Sequence, residues 1–67
     1  MRAFQRRILS ALLKMCNNDM IVHATIAEIS EQAGLTSPGG AITDALELLE
    51  YHNKILKIGD RKWKITI

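Results

Sequence analysis

The chain has 67 residues, 48% of them hydrophobic and 24% charged, with one cysteine and a formal charge of +2. This length predicts a single small domain over residues 1–67, near the size at which burial only just offsets chain entropy. Cys16 alone excludes an intramolecular disulfide and any multi-cysteine zinc site, so a reducing, cytoplasmic setting is expected, and no apolar run is long enough to span a membrane.

The charge is unevenly spread. The two ends hold all nine basic residues and one acid, Asp60, for a charge of +8, whereas Lys14 and Lys54 enclose six acids and no base, for −6. Separate basic and acidic surfaces follow from this pattern.

From Arg2 to about Cys16, Phe4, Ile8, Ala11, Leu12 and Met15 recur at helical spacing and predict a first helix. The basic start followed by ILSALLKMC superficially resembles a leader. Lys14, Ser10 and the lack of a small-residue cleavage site favour a core helix instead. Leu9 and Leu13 form a second stripe, wider than one packing face requires. Either the helix is central and covered on two sides, or this stripe meets a second copy or another protein.

Asn17-Asn18-Asp19 ends the helix, because these side chains compete for backbone hydrogen bonds. Met20 to His23 then reads as a very short strand. Thr25-Ile26-Ala27-Glu28 is a capping box that starts a second helix with Ile26, Ile29 and Ala33 on its apolar stripe. Gly34 supplies the left-handed conformation that ends it, and Leu35 tucks beneath the turn.

Ser37-Pro38 is a second start signal, serine as N-cap and proline at the first helical position. The third helix runs to about His52, with Ile42, Ala45, Leu46 and Leu49 inward and Thr43, Asp44, Glu47, Leu48 and Tyr51 outward. Asn53 suits a left-handed close. Beyond it the period changes to two: Leu56 and Ile58 alternate with Lys57, and Trp63, Ile65 and Ile67 alternate with Lys64 and Thr66, around Gly59-Asp60. This predicts a β-hairpin with Leu56 and Ile58 inward beside Trp63, and with its lysines outward.

The predicted fold class is thus α+β: three helices, a short strand and a C-terminal hairpin. In this order the chain resembles a winged helix-turn-helix domain, the hairpin being the wing. Thr25-Ile26-Ala27-Glu28-Ile29 with Ala33-Gly34-Leu35-Thr36-Ser37-Pro38 is similar to the DNA-binding domain of LexA-type repressors. Leu46, Leu49, Glu50, Asn53 and Ile55 resemble the close of many winged bacterial regulators, and Lys62-Trp63-Lys64-Ile65 resembles the wing end of Zα domains. The chain carries one extra residue between Pro38 and Ile42 relative to the LexA pattern. Thr43, Asp44 and Glu47 stand where Zα domains use Asn, Arg and Tyr, so Z-DNA recognition is not carried over.

The resemblance implies a small bacterial or phage regulator of transcription, repressor-like, that binds double-stranded DNA and acts as a dimer. Ser37, Gly39, Gly40 and Thr43 would reach the groove, and a projecting wing bearing Lys57, Arg61, Lys62 and Lys64 would hold phosphates, with backbone contacts from Arg2, Arg6 and Arg7. Two features leave alternatives open. Gly39 and Gly40 either bare a helix start for a phosphate or base edge, or let the chain bend before a helix that begins near Ala41. Asp44, Glu47 and Glu50 repel phosphates: either Glu50 and Glu47 point away from DNA, or the third helix meets a protein instead. The lysines of the hairpin have a plainer use as well, keeping the sheet edge soluble.

A protein partner or second copy would use Leu9, Leu13, Leu48 and Tyr51. No enzyme and no cofactor or metal is expected. His23, His52 and Cys16 are isolated, and Gly39-Gly40 lacks the Gly-Lys-Ser/Thr of a phosphate loop.

Overall fold

The computed structural model describes residues 2–36 and 39–67. Its elements are α1 (Ala3–Met15), β1 (Ile21–His23), α2 (Ile26–Gln32), α3 (Gly39–Tyr51), β2 (Ile55–Gly59) and β3 (Lys62–Ile65). The strands form one antiparallel sheet in the order β1-β3-β2. This is the α+β arrangement of three helices and a C-terminal hairpin expected of a winged helix-turn-helix.

The helices start and stop for local reasons. At α2 the Thr25 hydroxyl accepts from the Glu28 amide (3.1 Å), and the Glu28 carboxylate accepts from the Thr25 amide (3.0 Å). Both otherwise orphaned donors of the first turn are thereby satisfied. Gly34 closes α2 at φ +70°, and the Leu35 amide reaches back to the Ser30 carbonyl. Asn53 closes α3 at φ +60°, with the Lys54 amide bonded to the Leu49 carbonyl. The expected Ser37-Pro38 start of α3 lies outside the described residues.

A single apolar cluster joins the elements, with Ile8, Leu12, Val22, Ile29, Ile42, Leu49 and Ile55 essentially inaccessible. α1 packs on α2 and α3, and α3 also packs on β2. Each fully buried branched side chain contributes about 1.5–3 kcal/mol relative to exposure. Leu9 belongs to this cluster at 8% exposure, whereas Leu13 is 40% exposed. The stripe offered to a partner therefore shrinks to Leu13, because Leu9 is covered by the chain's own core. Among the described residues no helix is long and apolar enough to cross a membrane.

The hairpin departs from the expected phase. Ile55 is 1% exposed, while Leu56 and Ile58 are 49% and 44% exposed. Ile55 pairs with Ile65 and Lys57 with Trp63, so the inner face carries Val22, Ile55, Trp63 and Ile65. The closing turn of α3 sets this register: the Lys54 carbonyl accepts from the Thr66 amide and the Asn53 carbonyl from the Thr66 hydroxyl, which aligns Ile55 as the first inward residue. A shift of one residue turns every side chain of a strand over. Trp63 accordingly packs with Val22 and opposite Lys57, not beside Leu56 or Ile58, and Ile67 lies beyond β3 and exposed.

Candidate functional site

The first turn of α3 differs from what either reading of its glycines needed for the fold alone. The helix already begins at Gly39, so the expectation of a bend before a start near Ala41 is corrected. Both glycines are exposed, and neither has the positive φ that favours glycine. A Cβ on Gly39 would lie 4.0 Å from Ile26 Cγ2, an ordinary contact, and one on Gly40 would meet nothing within 4 Å. Nothing among the described residues therefore requires glycine at either position. Thr43 donates its hydroxyl proton to the Gly39 carbonyl (3.0 Å), which leaves the oxygen lone pairs facing outward as acceptors.

The expected basic residues do not form one surface. Arg2, Arg6 and Arg7 are all exposed, and Arg7 donates from Nη2 to the Ala33 carbonyl (3.1 Å), tying α1 to the end of α2. Lys57 lies on the α3 side of the sheet, its Nζ 6.0 Å from the centre of the Trp63 ring. Lys62 and Lys64 alternate with Trp63 and so occupy the opposite face, with Leu56. Of the eight groove and wing positions expected from sequence, Thr43, Lys57 and Arg61 line one groove, whereas Gly39 lines a separate hollow between α2 and α3 and Gly40 lines neither. Lys62 and Lys64 sit behind the groove, and Ser37 lies outside the described residues.

The hairpin is also not a free arm. β1 runs beside β3 as far as the His23–Lys62 pair, and the Ala24 amide donates to the Arg61 carbonyl (3.0 Å). Arg61 itself is left-handed at φ +55°, a conformation that costs a non-glycine residue about 1 kcal/mol or more. Its side chain stands 3.9 Å from Asp60. The expectation of a projecting wing is therefore replaced by a short hairpin pinned at its tip.

Between α3, the first turn of α2 and the hairpin lies an open groove of about 570 Å³. Ile26, Leu46 and Trp63 form its apolar floor, and Glu47, Lys57 and Arg61 stand at its rim. Glu47 and Glu50 both line it, so neither points away from this face as one reading required. Glu50 is half-buried and accepts from the Lys57 amide (3.3 Å), covering an outward-facing donor of the edge strand β2. Asp44 and Glu47 remain exposed. Further along α3, Tyr51 is 79% exposed, its ring edge-on to His52 at 5.3 Å.

One ionisable group and one turn are shaped by local bonds. The Thr25 amide, and then the Thr25 hydroxyl, hold the Glu28 carboxyl below its ordinary range, with a smaller contribution from Arg61. Asn17 uses its Oδ1 to accept from the amides of Asp19 and Ile21. That turn places Met20, not an asparagine, in the left-handed region at φ +63°. Sequence reasoning missed Met20 and Arg61 because their backbone is set by the Asn17 turn and by bonds between strands, not by residue preference.

Compared with protein-family models, curated proteins and solved structures, the chain matches none.

Proposed function

We propose that this chain binds double-stranded DNA as a small transcriptional regulator of the winged helix-turn-helix type. The observation that carries the reading is the bare first turn of α3: two exposed glycines that the described packing does not call for, each costing up to about 1 kcal/mol relative to alanine within a helix. A surface without Cβ atoms at a helix start suits close approach of a phosphate or base edge, which the helix dipole favours. Thr43 adds an acceptor one turn on, and Lys57 and Arg61 supply cations that line one groove with Thr43. Lys62, Lys64, Arg2 and Arg6 add positive field around this surface.

The test is titration with random duplex DNA at low and high salt. Each phosphate that is neutralised adds about 0.9 to the slope of log affinity against log salt, so contacts from Lys57 and Arg61 give a slope of about 2 or more. Alanine at both positions should lower the slope by about that amount. Affinity that ignores salt, or that survives this double substitution unchanged, rules the reading out.

A second reading is favoured by the exposed Tyr51 and by the acids beside it: a winged-helix module whose α3 face, with Leu48 and Tyr51, meets a protein. NMR shifts along Asp44, Glu47 and Tyr51 on adding DNA would contradict docking through the first turn. Shifts confined to Gly39–Thr43 and the hairpin would support it.

A further inference from the structure

His23 is isolated in the sequence, but the sheet carries it to the hairpin tip. It is the last residue of β1, exposed, and stands directly across from Lys62 of β3. The next residue, Ala24, donates its amide to the Arg61 carbonyl (3.0 Å), which holds the end of β1 against the tip. His23 and Arg61 line one small hollow of about 130 Å³ together with Thr25 and Glu28. Three basic side chains, His23, Arg61 and Lys62, are thus gathered by strand pairing, and Lys64 follows on the same face as Lys62.

Acids stand at the tip as well. Glu28, from the first turn of α2, shares the hollow with His23, and its carboxylate is committed to the Thr25 amide and hydroxyl (both 3.0 Å). Asp60 stands 3.9 Å from Arg61. Arg61 and Lys62 therefore meet Glu28 and Asp60, two cations against two carboxylates, and a proton on His23 decides whether the tip is neutral or positive. Histidine is the side chain that ordinarily changes charge between about pH 5 and 8. A phosphate placed among His23, Arg61 and Lys62 would favour the charged imidazolium, which donates from both ring nitrogens. Resting on the DNA-binding reading above, we propose that His23 is a phosphate contact of the hairpin tip, made when its imidazole is protonated. Duplex binding then strengthens as pH falls and weakens as pH rises.

The experiment is salt titration of duplex binding by the full chain at about pH 8 and about pH 5.5, on either side of the ordinary histidine range. At the lower pH the slope of log affinity against log salt should be steeper by about 0.9, one further phosphate neutralised. Affinity at low salt should rise roughly threefold or more. His23→Gln should keep the shallower slope at both pH values, and His23→Lys the steeper one at both. His52→Gln should behave as wild type, because His52 lies against Tyr51 at the end of α3. His23 is exposed, so both of its variants should fold, which circular dichroism checks, and either one alone decides the question. Wild-type binding that depends on salt but has the same slope at both pH values overturns the proposal and leaves the DNA reading standing. So does a His23→Gln or His23→Lys variant that keeps the full pH effect, or a His52→Gln variant that loses it. Absence of salt-dependent binding at either pH overturns both.

Discussion

The starts of α2 and α3 are built on opposite plans. At α2 the first turn is closed on itself: Thr25 and Glu28 exchange hydrogen bonds, and the Glu28 carboxylate is held charged by the donors it accepts from. At α3 the first turn carries Gly39 and Gly40, exposed and without side chains to cap or cover anything. Both helices are anchored below by inaccessible isoleucines, Ile29 and Ile42. The difference therefore lies in what each start offers outward. A start that satisfies itself stabilises the fold, whereas one that carries glycines costs stability and leaves its outer surface without side chains.

The anchors should prove alike. Ile29→Ala and Ile42→Ala each remove a buried side chain and should cost about 2–5 kcal/mol by urea unfolding. A cost at Ile42 well below 2 kcal/mol would mean that α3 is not held as α2 is. The starts should differ in sign. Thr25→Ala removes an acceptor for the Glu28 amide and should destabilise by about 1 kcal/mol. Because the Glu28 pKa is lowered on folding, its contribution is complete above the ordinary glutamate range and is lost as pH falls through the lowered value. Glu28→Gln should therefore flatten the acid limb of the stability curve; an unchanged limb would show that the box is not formed in solution. Smallest is the effect on the outer sheet: Leu56→Thr should change stability by no more than about 0.5 kcal/mol, because Leu56 faces solvent. Ile55→Ala, one residue earlier, should cost about 2–5 kcal/mol. Reversal of that order would restore the inward Leu56 that alternation alone suggested.

That strand shows where sequence reasoning reaches its limit. The helices were legible because their signals are local: apolar residues at helical spacing, the Thr25–Glu28 box, and Gly34 and Asn53 in left-handed closes. Around β2, Ile55, Leu56 and Ile58 are all apolar, so alternation fits either phase. The choice is made by bonds from Thr66 to Asn53 and Lys54, more than ten residues away in the chain. The pinned tip is hidden for the same reason, since it depends on Ala24 bonding to Arg61. The candidate site was partly legible. Gly39, Gly40 and Thr43 stood out by type, but the sorting of Lys57 from Lys62 and Lys64 follows from register, as does the use of Glu50 to cover the edge of β2.

The most direct measurement is Gly40→Ala, read twice on the same protein. Among the described residues nothing beyond its own stretch of helix lies within 4 Å of the added Cβ, and glycine is the poorer helix former, so the variant should unfold at higher urea, by up to about 1 kcal/mol. The same variant should bind duplex DNA more weakly than wild type, since the methyl group occupies the surface left bare for it. A variant that is more stable and binds DNA unchanged would contradict the account, because the first turn of α3 would then have no use that its lack of side chains explains.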